Sequence, residues 1–190
     1  MIDGASKPYV SRGGEKLAAA LDHFNIDPTG LLAADLGSHV GGFVDCLLRR
    51  GVSRIYSVDT AYGTLAWTIR KDRRVVVMER TNAMHVALPE PVQLVTIDVG
   101  WTPQVKVLPN ARNLLAPGGR VITLIKPHYE APRDQLVGGV LTDDAIDAVL
   151  AMVGSNIVAA GWRIVNTVDS PLRGHGGNRE ILALLAPVPL

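Results

Sequence analysis

Short apolar runs rich in Val, Ile and Leu alternate along this chain with longer stretches whose apolar residues recur at helical spacing, a rhythm open to few folds. Leu17, Leu21 and Phe24 share one face of a helix predicted over 11–24. A β-like run over 31–36 follows and stops at Gly37. A helix over 42–50 ends at Gly51, a strand over 54–58 ends at Asp59, and a short helix covers 65–71. Three valines in a row, Val75, Val76 and Val77, open a strand over 75–78 of the kind that is covered on both faces in a parallel sheet. The second half keeps the rhythm: a strand over 92–97 ending at Asp98, then a helix over 104–115 that Pro109 should kink or split. An A-P-G-G turn at 116–119 leads into a strand over 120–125, with Lys126 and Pro127 at its end. Thr142, followed by Asp143 and Asp144, starts a long helix that ends near Gly161. Strands over 162–168 and 180–185 close the chain. They are too near in sequence for a helical crossover, so the glycine-rich loop 174–177 should join them as an antiparallel hairpin.

This pattern predicts an α/β fold: a Rossmann-like, doubly wound, mostly parallel seven-stranded sheet with an antiparallel C-terminal hairpin, the architecture of class I methyltransferases. One domain over 1–190 is expected, its N-terminal helix 11–24 contributing to the site. With 47% hydrophobic residues in 190, the chain can bury a core, which excludes global disorder. Nineteen Lys and Arg against 18 Asp and Glu argue against a general nucleic-acid coat but leave room for a local basic face. Arg49, Arg50 and Arg54 fall together, as do Arg70, Lys71, Arg73 and Arg74; the plainer reading of both groups is solvated helix ends. A single cysteine excludes an internal disulfide and a thiolate zinc cluster, and fits a cytoplasmic protein. No run suits a membrane helix, the N-terminus has no apolar export core, and no pair of histidines has metal-ligand spacing. The expectation is therefore no membrane, no metal.

In a doubly wound sheet the ligand sits outside the carboxyl ends of the strands. The first such end reads Asp35-Leu36-Gly37-Ser38-His39-Val40-Gly41-Gly42-Phe43. Its glycines let backbone approach a ligand, and Gly37, Ser38, Gly41 and Gly42 are cofactor-binding candidates. Asp59, about 20 residues on, suits hydrogen bonding to a ribose diol. The loop is not the G-x-G-x-x-G of dinucleotide sites. It suits S-adenosylmethionine, which has no phosphate and whose positively charged methionine end would lie near Asp35. The plain alternative is a tight strand-to-helix turn. Four charged residues stand where chemistry would occur: Lys16, Asp98, Lys126 and Glu180. Each alone reads as a surface charge. Lys126 is the exception, because it ends the apolar run I-T-L-I. Desolvation and a neighbouring cation such as Lys16 would make it a general base, with Asp98 and Glu180 holding it in place.

Six segments carry a resemblance: Y-V-S-R-G-G-E-K-L (9–17), D-L-G-S-H-V-G-G-F-V-D-C-L-L (35–48), V-V-V-M-E-R-T-N (75–82), I-D-V (97–99), L-I-K-P (124–127) and G-N-R-E (177–180). In this order, and spanning nearly the whole chain, they resemble the TlyA group of FtsJ-like methyltransferases, some of which are labelled haemolysins. The resemblance implies an S-adenosylmethionine-dependent ribose 2′-O-methyltransferase acting on ribosomal RNA. It implies a catalytic set at Lys16, Asp98, Lys126 and Glu180, and cofactor contacts at Asp35, Gly37, Phe43, Asp59, Asn82 and Asp98, with Asn82 near the adenine. The chain departs from the family in three places. Only eight residues precede Tyr9, so the usual N-terminal S4-type RNA-binding domain is expected to be missing. Ser38-His39-Val40 stands where the family has small residues and Thr. Gly100-Trp101-Thr102-Pro103 replaces an S-F-I-S type of segment, and Trp101 can stack on a base or simply cover the core edge. Two further readings stand beside the leading one: an O-methyltransferase for a small metabolite, and a non-catalytic module that binds S-adenosylmethionine or RNA. No segment suits pore formation.

Overall fold

The computed structural model describes residues 9–189. Seven strands form one sheet: β1 (Leu32–Leu36), β2 (Arg54–Val58), β3 (Val75–Met78), β4 (Val92–Ile97), β5 (Leu115–Ile125), β8 (Trp162–Asp169) and β9 (Ile181–Pro187). A two-stranded hairpin, β6 (Leu136–Val137) with β7 (Val140–Leu141), lies apart from it. The order across the sheet is β3-β2-β1-β4-β5-β9-β8. The first five strands run parallel, and β9 pairs antiparallel with both β5 and β8. The predicted closing hairpin is therefore present, with β9 inserted between β5 and β8. The order reverses between β1 and β4, which places the switch point at the ends of those two strands.

Alternation along the strands divides the core in two. Ala33, Ile55, Leu94 and Ile122 face α1 (Gly13–Phe24), α2 (Gly42–Arg49) and α3 (Trp67–Arg70). Ala34, Tyr56, Val95 and Val121 face α4 (Gln104–Leu114) and α6 (Asp143–Ala159). Both faces of the parallel strands are covered, as their apolar runs require. Several local expectations shift. The helix expected over 65–71 is only Trp67–Arg70. Helix α4 runs through Pro109 unbroken; the carbonyl that loses its partner belongs to Val105, which is exposed to solvent. The A-P-G-G turn sits inside β5 as an irregularity: Leu115 pairs with Val92, and pairing resumes only at Arg120 with Leu94. A one-turn helix, α5 (Pro127–Glu130), follows Lys126 directly.

Candidate active site

The carboxyl ends of β1, β2, β4 and β5 surround a cavity of about 590 Å³. Asp35, near the end of β1, is fully buried. Its Oδ1 accepts a 2.6 Å hydrogen bond from the Thr96 hydroxyl, and its Oδ2 has no partner among the described residues. Burial pushes its carboxyl up to about 7; the Thr96 bond opposes this, and the nearby charges of Asp98 and Asp59 add to it. Gly37 follows with φ +93°, and a Cβ there would stand 2.5 Å from the Asp98 carbonyl oxygen. Only glycine lets β1 and β4 end this close together.

The rest of the loop is held by its own hydrogen bonds. The Ser57 hydroxyl donates to Ser38 Oγ (2.8 Å), which donates to the Val58 carbonyl (3.1 Å). Ser38, Gly42 and Phe43 line the cavity. Gly41 turns into α2 with φ +100°, and its Cα faces the Leu65 side chain. The backbone N–H groups of His39 and Ala61 each donate to Asp59 at 2.7 Å, fixing that carboxylate at the end of β2. Asn82 lines the same cavity, its Oδ1 accepting from the Met84 N–H at 2.9 Å. His39 is exposed.

Lys126 and Lys16 enter the cavity from different elements, and each carries a carboxylate. Lys126 Nζ lies 2.6 Å from Asp98 Oδ1 and donates to the Val99 carbonyl at 3.3 Å. It also stands 5.4 Å from the centre of the Tyr129 ring. Lys16, on the first turns of α1, pairs with Glu180, which immediately precedes β9; both side chains are buried. Glu180 thus holds Lys16, not Lys126 as the sequence suggested. Glu180 is not among the lining residues and reaches the site only through Lys16.

Two glycine pairs bring α1 to the cavity. A Cβ on Gly42 would collide with Ser11 Oγ and stand 2.9 Å from the Gly14 nitrogen, so the N-termini of α1 and α2 touch backbone to backbone. The Val10 N–H donates to Asp45 Oδ2 of α2 at 2.9 Å and pins the approach. Sequence reasoning missed Thr60, Thr81 and Met84, which also line the cavity. Thr60 and Thr81 stand two and three residues past the ends of β2 and β3, where a residue-by-residue reading would have found them; Met84 lies six residues past β3, with no such signal. Trp101, exposed and with φ +55°, stacks on Tyr129 at 4.4 Å beside Lys126. Among the described residues no group of His, Cys, Asp and Glu could hold a metal ion, and no helix is long and apolar enough to cross a membrane.

Comparison with known proteins finds relatives over nearly the whole chain. The chain is 40% identical over 95% of its length to "Putative rRNA methyltransferase YqxC" of Bacillus subtilis (strain 168), covering 66% of that protein. It is 37% identical, again over 95% of its length, to the 16S/23S rRNA (cytidine-2'-O)-methyltransferase TlyA of Mycobacterium tuberculosis, covering 69% of it. The chain thus spans about two thirds of the length of these curated relatives. A solved structure, "Putative hemolysin from Streptococcus thermophilus", superposes with a TM-score of 0.92 at 34% identity, covering 98% of this chain and 70% of that one. The model of the FtsJ-like methyltransferase family matches residues 9–186, a span holding the cavity, both lysine–carboxylate pairs and all seven strands of the main sheet but for the last residue of β9, and the chain belongs to that family.

Proposed function

We propose that this chain methylates a ribose 2′-hydroxyl of ribosomal RNA, using S-adenosylmethionine, with Lys126 as the general base. The observation that carries the reading is the convergence of two lysines on one cavity, Lys126 oriented by Asp98 and Lys16 by Glu180. The cavity suits S-adenosylmethionine. The unpartnered, buried Oδ2 of Asp35 calls for a cationic group, and the fixed carboxylate of Asp59 suits a ribose diol. Asn82, Phe43 and the backbone at Gly37 and Gly42 supply the remaining wall. When bound, S-adenosylmethionine supplies an electrophilic methyl group on a sulfonium.

A ribose hydroxyl is a poor nucleophile near neutral pH and must lose its proton as it attacks. Lys126 Nζ takes that proton, while Asp98 and the Val99 carbonyl fix the direction of the amine. The Lys16 ammonium stabilises the charge that develops on the oxygen, and Glu180 acts as a positioning residue for it. Trp101, stacked on Tyr129 at the cavity wall, is placed to receive the base of the target nucleotide. The relatives' names support ribosomal RNA as the acceptor. A labelled-methyl transfer assay against ribosomal subunits, free RNA and cell metabolites in parallel tests this. Lys126→Ala should abolish transfer and leave cofactor binding largely intact. Full activity in that variant refutes the base; labelling confined to metabolites refutes the RNA acceptor.

A further inference from the structure

Most of the clustered arginines are already occupied. Arg49 pairs with Asp45, Arg50 with Asp22, Arg54 with Glu90, Arg70 with Glu79 and Arg74 with Asp72. Their charge is compensated on the spot, so they offer little to a polyanion. Lys71 and Arg80 differ: among the described residues neither has a carboxylate in ion-pair reach, and each lies instead on an exposed aromatic ring. Lys71 Nζ is 4.8 Å from the centre of the Trp67 ring, and Arg80 Cζ is 4.2 Å from that of Tyr62. The two aromatic residues are 65% and 70% exposed, which is unusual for large rings without a partner to cover them.

Both pairs stand beside the cavity: the N–H of Ala66, next to Trp67, donates at 3.0 Å to the carbonyl of Val40, which lines it. Thr60, two residues before Tyr62, and Thr81, next to Arg80, line it. The loops that carry Tyr62 and Arg80 are laced together: the Arg80 N–H donates to the Ala61 carbonyl (3.2 Å), Thr81 to Asp59 (2.9 Å), and Gly63 to Glu79 Oε1 (2.9 Å). Arg80 holds a left-handed backbone, φ +53°, that is uncommon for its type. The lacing keeps it there, with its guanidinium over the ring. A cation without a carboxylate, set on an aromatic face that is still open to solvent, offers the two contacts that a single-stranded nucleic acid takes: stacking for a base and charge for a phosphate.

We infer that Tyr62–Arg80 and Trp67–Lys71 form a second contact surface for single-stranded RNA beside the cavity, seating nucleotides that flank the methylated one. This rests on the RNA reading above. The test titrates the chain with a cytidine dodecamer and follows tryptophan fluorescence, in parallel with methyl transfer to ribosomal RNA. Tyr62→Ala and Trp67→Ala should each weaken dodecamer binding about tenfold. Lys71→Gln and Arg80→Gln should each lower the slope of log affinity against log salt by about 0.7. All four should raise KM for RNA, leave kcat near the parent value and leave S-adenosylmethionine binding unchanged. Unaltered affinity and slope in the Trp67→Ala/Arg80→Gln double variant overturn the surface even if RNA is methylated. So does a parent chain that does not bind the dodecamer. Binding that depends on these residues, without methylation of any RNA, upholds the surface and overturns only the proposed reaction.

Discussion

A single atom, Asp35 Oδ2, links the fold to the chemistry of the cavity. A carboxyl here was legible in the sequence because it precedes the first glycine of the loop. Its protonation was not, since that depends on complete burial and on Thr96, far along the chain on β4. Burial raises this carboxyl to about 7, so the folded chain retains a proton that the unfolded chain releases near pH 4. Stability must therefore fall as pH rises across that window and level off above about 7, by on the order of a few kcal/mol. Asp35→Asn removes the titration. In melts without cofactor, the parent should lose stability relative to this variant between roughly pH 4 and pH 7. A cation beside Oδ2 favours the ionised carboxylate, so S-adenosylmethionine affinity of the parent should rise through neutral pH and that of the variant should not. Parallel pH profiles for the two proteins would show that Asp35 does not face the cationic end.

At the scale of elements, the sequence displayed the order of strands and helices because each parallel strand is a short apolar run closed by a polar residue. It did not display the pairing of side chains across the site. Lys16 and Glu180 lie at opposite ends of the chain, and only the approach of α1 to the start of β9 brings them together. Helix α5 and the β6–β7 hairpin were also invisible: the segments are too short to carry a period. The approach of α1 depends on Gly42, where a methyl group would meet Ser11 and the Gly14 backbone. Gly42→Ala should cost about 1–3 kcal/mol of stability and, by moving Lys16, lower kcat more than it weakens cofactor binding. Gly154→Ala in α6 is the matched control. Its nearest contact is Ile164 at 3.7 Å, so it should be neutral or stabilise by up to about 1 kcal/mol. Chemical denaturation and methyl-transfer kinetics on both variants distinguish a local displacement of α1 from a general effect of an added methyl.

For the molecule as a whole, net charge conceals how the charge is arranged. The formal value of +1 argued against a coat-like polyanion binder, and the arginine groups along the sequence left room for a basic face while reading more plainly as solvated helix ends. Folding resolves the two: the groups near α2 and α3 are largely compensated by carboxylates drawn from as far away as Asp22 and Glu90. Among the described residues, the cations in that region without a carboxylate in ion-pair reach are Lys71, Arg73 and Arg80. If these and one lysine of the cavity meet phosphates, log affinity for single-stranded RNA should fall against log salt with a slope of roughly −2 to −3. Between about 50 and 200 mM salt that is a loss of roughly 15- to 65-fold. A slope near −6 would mean that the arginine–carboxylate pairs open to receive RNA. Placing dodecamer binding and RNA methylation on the same salt series gives the decisive comparison. Equal slopes mean that the contacts that seat the strand also set turnover at low RNA concentration. A methylation slope much steeper than the binding slope would place further phosphate contacts in the reacting complex, beyond the aromatic–cation surface.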